Sequence, residues 1–216
     1  MARKLSPEEE LSRLEEMYSI ERAKAAEGYK IICGVDEAGR GPLAGPVYAA
    51  AVILPDGLVI PGLNDSKKLS EKRREELFDI IIEKAAAYAI ASVDERRIDE
   101  INILNADFEA MNTAVSALKL KPDFVLVDGN IMRGMTLPHE TVVKGDSKSA
   151  SIAAASILAK VSRDRYMTAA AERYPEYGFE KHKGYGTKAH NEAILKYGPC
   201  ELHRRTFLKK LLGDRQ

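Results

Sequence analysis

Four acids stand where the chain leaves a strand or enters a helix, and they define the chemistry to weigh first. Asp36 and Glu37 follow an uncharged, β-favouring run, Ile31-Ile32-Cys33-Gly34-Val35. Asp128 closes a similar run, Phe124-Val125-Leu126-Val127, and Asp146 sits where ETVVKG gives way to a serine- and alanine-rich helix. If the first and fourth strands are parallel neighbours, Asp36 and Asp128 reach the same edge of a sheet. Converging carboxylates repel one another and lose hydration, so a cation or proton must compensate. An oxygen-only donor set, without thiolate and with little imidazole, suits Mg²⁺ or Mn²⁺. Two such ions fit phosphodiester hydrolysis, one activating water and the other stabilising the leaving oxygen. Plain readings stand beside this one: Asp146 before Ser147 as a helix cap, Asp128 before Gly129 as a turn residue. Asp164, between Arg163 and Arg165 in a helical run, reads as part of an exposed intrahelical ion pair and stays outside the set.

Between the first two strands runs Ala38-Gly39-Arg40-Gly41-Pro42-Leu43-Ala44-Gly45-Pro46. It lacks the G-x-G-x-x-G that opens a helix, which argues against dinucleotide binding. Glycines here would let backbone approach a ligand closely, with Arg40 facing phosphate; the plain reading is a tight connection. From Lys160 to Lys210 there are 12 lysines and arginines against 6 acids, a candidate phosphate-facing surface or a solvated charged face. Tyr185, between Gly184 and Gly186, could offer its ring to a sugar or base, or simply pack in its loop. His182, His190 and His203 lack metal-ligand spacing.

The elements that position these residues read as β, β, α, β, α, β, β, α with a helical tail. Residues 6–26 form one amphipathic helix, 94–118 one long helical region, and 188–197 and 201–212 two short tail helices. Strands alternating with helices, plus one hairpin-like pair, indicate an α/β domain with a mixed sheet. The chain of 216 residues balances 33 Lys and Arg against 33 Asp and Glu, which argues against gross electrostatic capture of nucleic acid but not against a local patch. Two cysteines, Cys33 and Cys200, build neither a disulfide scaffold nor a C-x-x-C metal site, so a reducing, cytoplasmic setting is expected. No segment is long and apolar enough to predict a membrane span, and no heptad run demands a partner, so a monomer is expected.

Taken together, GVDEAGRGPLAGPVYAAAVIL, LNDSKKLS, VLVDG, KGDSKSASIAAASILAKVSRD, HKGYGTKAH and GPCELHRRTF resemble, in order, the motifs of ribonuclease HII, from about residue 30 to about residue 207. The resemblance implies a ribonuclease H-like fold: a five-stranded mixed sheet flanked by helices, with a helical C-terminal portion. It divides the chain into an N-terminal helical extension (1–28), a catalytic core (29–175), and a basic loop with helices that completes the substrate cleft (176–216). It implies endonucleolytic cutting of RNA paired with DNA, single embedded ribonucleotides included, 5′ to the ribonucleotide, leaving 3′-hydroxyl and 5′-phosphate ends.

By motif position, Asp36, Glu37, Asp128 and Asp146 match the metal-binding acids, all without substitution. Asp36 and Asp128 are expected to be shared between two ions, with Glu37 and Asp146 each favouring one. Gly39, Arg40 and Gly41 match the loop that reads the ribose 2′-hydroxyl, and Tyr185 the tyrosine that packs on the adjoining deoxyribose. Contact with the 2′-hydroxyl is what any protein needs to tell RNA from DNA. Lys67 is a candidate phosphate contact. Departures are peripheral: Thr206 stands where serine is common, and the resemblance gives residues 1–28 no role. The related type 3 enzymes carry a larger N-terminal domain and lack arginine in the glycine loop. The ending KKLLGDRQ carries no recognisable clamp-binding pattern. Rival readings are another nuclease of this fold, resolvase-like, and a noncatalytic hybrid-binding protein.

Overall fold

The computed structural model describes residues 6–213; residues 1–5 and 214–216, the outer ends of the expected extension and tail, lie outside the described residues. Helices α1 (Pro7–Met17) and α2 (Ser19–Ala26) precede strands β1 (Ile32–Ala38) and β2 (Val47–Ile53). Helix α3 (Glu71–Lys84) leads into β3 (Ala87–Val93), and α4 (Glu95–Ile101) and α5 (Ile103–Ser116) lead into β4 (Phe124–Asp128) and β5 (His139–Val142). Helix α6 (Ala150–Arg173) and the shorter α7 (Phe179–His182), α8 (Lys188–Tyr197) and α9 (Lys209–Leu212) complete the chain.

The five strands form one sheet in the order β3-β2-β1-β4-β5. β1 runs antiparallel to β2 and parallel to β4, as expected. Alternation along the strands divides the core in two. Cys33, Val35, Val125 and Val127 pack with Ile98, Met111 and Val115 of α4 and α5 on one face. Ala50 and Val52 meet Ala153, Ala154 and Ile157 of α6 and Leu77 of α3 on the other. The fold is thus a mixed α/β sheet flanked by helices. Among the described residues, no helix is long and apolar enough to cross a membrane.

The alanines of α6 let its backbone lie directly on β1. A Cβ added to Gly34 would stand 2.2 Å from the Ser151 carbonyl carbon and 2.3 Å from the Ile152 nitrogen. Ser149 caps this helix through the Ile152 amide. Glu21 of α2 accepts from the Ser149 hydroxyl at 2.6 Å and from the Ser151 amide at 3.0 Å, placing a carboxylate at the positive helix end.

Three helical expectations are corrected. Residues 6–26 are two helices, because the chain bends at Tyr18, whose hydroxyl donates to the Leu58 carbonyl at 2.5 Å. The 94–118 region breaks at Asn102 (φ 66°, ψ 163°), a sparsely populated backbone conformation for a non-glycine residue, whose side-chain oxygen accepts from the Leu104 and Asn105 amides and starts a new helix. Residues 201–212 are not one helix: His203 bridges to Ala44 in extended form, Arg205–Phe207 is a single 3₁₀ turn, and only Lys209–Leu212 is α-helical.

Gly34→Ala is expected to destabilise the protein by about 3 kcal/mol, since backbone rather than a movable side chain opposes the new methyl. A denaturant titration of the purified variant measures this, and a loss under about 0.5 kcal/mol would contradict the close packing.

Candidate active site

β1 and β4 are in register from Ile32 opposite Phe124 to Val35 opposite Val127, so Asp36 and Asp128 leave the sheet side by side. Alternation sends Asp36 to the α6 face with Gly34 and Glu37 to the α5 face with Val35. Oxygen atoms of Asp36, Glu37 and Asp128 lie within 4.8 Å of one another, the one such metal-capable group among the described residues. Asp36 is buried, accepts from the Glu37 amide at 2.7 Å, and is hydrogen-bonded by Ser156 of α6. Asp128 Oδ1 accepts from the Gly145 amide at 2.6 Å and the Asp146 amide at 3.3 Å, fastening the 3₁₀ turn Gly145–Ser147 against the end of β4. Asp128 therefore does serve a turn, one 17 residues downstream rather than its own. Asp146, the fourth expected acid, is tied beside the cluster through its backbone but stands outside the three-acid group, and it does not cap α6, a role that Ser149 fills.

Burial and mutual repulsion dominate the electrostatics and are only partly offset by Arg40 and Lys67. Burial, then the charges of Glu37 and Asp128, pushes Asp36 well above the usual carboxylate range. Burial raises Glu37 despite Arg40, with Asp128 adding to the rise. Asp146 is raised by burial and by Asp128 and Asp65. Lys67 lies 3.4 Å from Asp146 Oδ2, but its side chain is 76% exposed. Burial lowers the Lys67 pKa and the charges of Asp146 and Asp36 more than restore it, so it stands above its ordinary value. Convergent oxygens, mutual repulsion and one loosely held lysine fit a divalent-ion site.

A fifth acid escaped the sequence reading. Asp107 of α5 is buried, its Oδ1 has no hydrogen-bond partner, and Arg40 Nε lies 3.4 Å from its Oδ2. Burial, with Glu37 and Asp128 nearby, pushes it to about 8 against the pull of Arg40. The signal was present: Asp107 lies four residues from both Ile103 and Met111, on the stripe that faces the sheet. Asp164, expected to be exposed, is buried; it does pair within its helix, with Lys160 at 2.6 Å, and Arg74 approaches at 3.9 Å.

The glycine loop flanks the acids. Gly39 has φ 102°, and a Cβ there would fall 2.1 Å from Arg163 Nε. Arg163 donates to the carbonyls of Pro46, Ala44 and Lys183, each at 3.0 Å. Arg204 donates to Arg40 O at 2.9 Å, to Gly39 O at 2.6 Å, and to Gly45 O. Both guanidinium groups are buried, so two cations of the basic C-terminal stretch face inward instead of forming a phosphate surface. Gly41 lies beside Tyr185, whose ring is half-exposed. Glu37, Gly39, Arg40, Gly41, Lys67 and Tyr185 line one cleft of about 180 Å³.

Behind Tyr185 the histidines form a relay of neutral rings. The Cys200 amide donates to His203 Nδ1 at 2.9 Å, which leaves the His203 proton on Nε2. That nitrogen lies 3.1 Å from His190 Nε2, and His190 Nδ1 reaches the Tyr185 carbonyl at 2.9 Å. Burial lowers His190 to about 4 and His203 to about 3. The unfolded chain therefore binds more protons than the folded one below about pH 6.5, and this contribution to stability is lost as pH falls toward 4. Urea titrations from pH 7 to 4 are expected to show a decline that is shallower in His190→Gln by on the order of 3 kcal/mol at pH 4. Parallel profiles would contradict the relay.

The ribonuclease HII family model matches residues 33–210. A ribonuclease HII from Caldicellulosiruptor saccharolyticus is 58% identical over 198 residues, covering 92% of this chain and 97% of that protein. The crystal structure of ribonuclease H2 from Pyrococcus horikoshii superposes with a TM-score of 0.70 at 29% identity, covering 84% of this chain and 97% of that one. The ribonuclease HII of an Archaeoglobus fulgidus complex with PCNA does so at 0.68 and 29% identity, covering 81% and 94%. An identity sustained almost end to end, on the matching fold, makes the assignment: the chain belongs to the ribonuclease HII family and is a ribonuclease H endonuclease.

Proposed function

We propose that this enzyme hydrolyses the RNA strand of RNA–DNA hybrids and cuts at single ribonucleotides embedded in duplex DNA, 5′ to the ribonucleotide, leaving 3′-hydroxyl and 5′-phosphate ends. Ribonucleotide removal and primer processing in the cytoplasm are the roles that follow. The observation that carries this reading is the convergence of Asp36, Glu37 and Asp128 beside the cleft shared by Gly39, Arg40, Gly41 and Tyr185.

In this reading Asp36, Glu37, Asp128 and Asp146 would hold the Mg²⁺ or Mn²⁺ ions, with Asp36 and Asp128 the acids expected to be shared. When bound, the ions supply an acidified water and neutralise charge on the scissile phosphate and the leaving oxygen. The chain's own groups do the rest. Ser156 and the Glu37 amide fix the Asp36 carboxylate, so its lone pairs are aimed before substrate arrives. The Asp128 contacts with the 145–147 turn set the distance from β4 to Asp146. Arg40, half-exposed and tethered by Asp107, presents charge to a phosphate, and Lys67 serves another from across the cleft. The loop backbone at 39–41 addresses the ribose, and the Tyr185 ring gives the neighbouring sugar a flat apolar face.

The test is a labelled DNA duplex with one ribonucleotide, incubated with Mg²⁺ or Mn²⁺ beside an all-DNA twin. One cut 5′ to the ribonucleotide is expected, with the twin intact; cutting of both would favour a resolvase-like nuclease. Asp36→Asn is expected to lower the rate at least ~10³-fold, the order for a group acting on the transition state. A variant that binds the duplex as the parent does, with neither forming product, would favour a hybrid-binding protein.

The raised acids also make a pH statement opposite in sign to that of the histidines. The folded metal-free chain holds protons that the unfolded chain releases, so this contribution to stability is present at low pH and lost as pH rises through the raised values. Divalent ions restore it. The thermal midpoint is expected to rise more on adding Mn²⁺ at pH 8 than at pH 5, and scarcely at all in Asp36→Asn. Equal increments at both pH values would argue against the acids as the ion site.

A further inference from the structure

In a strand successive carbonyls point to opposite sides, yet the carbonyls of Gly39 and Arg40 both turn onto one buried guanidinium, that of Arg204. The positive φ of Gly39 accompanies this reversal. A trans peptide is planar, with its N–H opposite its C=O. With both oxygens directed inward to a side chain that has no exposed surface, the N–H groups of Arg40 and Gly41 point the other way. Among the described residues neither amide has a hydrogen-bond partner. Gly39, Arg40 and Gly41 line the cleft, and Tyr185 packs beside Gly41.

We infer that Arg204 is a positioning residue for sugar discrimination: its inward grip on the Gly39 and Arg40 carbonyls presets the Arg40 and Gly41 amides as a pair of donors for a ribose 2′-oxygen. The inference rests on the reading of this loop as the ribose contact. A 2′-oxygen accepts from such donors, and a deoxyribose has nothing to offer them. Were either peptide to flip, a carbonyl would face the cleft on the side lined by Glu37, where it would offer a ribose hydroxyl no donor. The arginine fork opposes that flip because it reaches the carbonyls of residues 39, 40 and 45 at once. A lysine ammonium keeps the charge but is a single point that cannot span the three.

The experiment measures binding by fluorescence anisotropy with Ca²⁺ in place of Mg²⁺, using duplexes with one ribonucleotide or the matching deoxynucleotide, each checked on a gel to be uncut. Wild-type protein is expected to prefer the ribonucleotide duplex. In Arg204→Lys this preference is expected to fall about tenfold, while affinity for the all-DNA duplex stays within about threefold. The Mn²⁺-induced rise in thermal midpoint should persist, because the acids are untouched. A folded Arg204→Lys that keeps the full preference overturns the inference. A wild-type protein without any preference overturns instead the reading of the loop, which separates the two failures. If Arg204→Lys does not fold, amide exchange in the wild-type protein decides. The Arg40 and Gly41 amides should exchange freely without ligand and slow with the ribonucleotide duplex but not the deoxy one; equal slowing with both overturns the inference.

Discussion

The eight residues between β1 and β2 make no ladder of their own, and two buried arginines hold them in place. Arg163 and Arg204 come from opposite ends of the last third of the chain, and together they satisfy the carbonyls of Gly39, Arg40, Ala44, Gly45 and Pro46. Buried carbonyls without partners would cost about 1–3 kcal/mol each, so this irregular loop is stable only with the guanidinium groups beneath it. The dependence is mutual. A buried guanidinium also needs acceptors, and the loop supplies them without a carboxylate, leaving the acids of this region free for other work.

Those acids set the second constraint. Parallel pairing of β1 and β4 brings Asp36 and Asp128 together whatever their repulsion, because the register is decided by the apolar residues below them. Helix α6 then serves both features. Its start lies against Gly34, its second turn offers Ser156 to Asp36, and two turns further Arg163 reaches the loop. Alanine-rich packing gives that helix its closeness to the sheet, and the closeness keeps acids and loop within one cleft.

Much of this was legible in the chain. Acids that end uncharged strand-like runs have few structural excuses, and the β–loop–β pattern placed Gly39 to Gly41 beside them. What escaped has a physical explanation in each case. Arginine reads as surface by default, so nothing short of the fold reveals that Arg163 and Arg204 point inward. Asp107 shares the apolar stripe of its helix, and periodicity read from apolar residues alone does not register a carboxylate on that stripe. The helix breaks at Tyr18 and Asn102 depend on one side-chain tether and one local cap, which periodicity does not register. The expected tail helix failed because His203 and Arg204 are drawn into the loop, a tertiary demand that overrides local preference.

The pairing of β1 with β4 joins segments some 90 residues apart, and it has a kinetic side. Contacts so distant form late, after local helices and the β1–β2–β3 meander have reduced the entropy of closing the intervening chain. The acid cluster is the last stretch of that seam, where repulsion works against closure. An ion bound there acts on the finished structure more than on the folding transition state, so it slows unfolding without hastening folding. On the proposed assignment of the ions to these acids, the enzyme's lifetime in the folded state would be tied to the same ions that serve its chemistry.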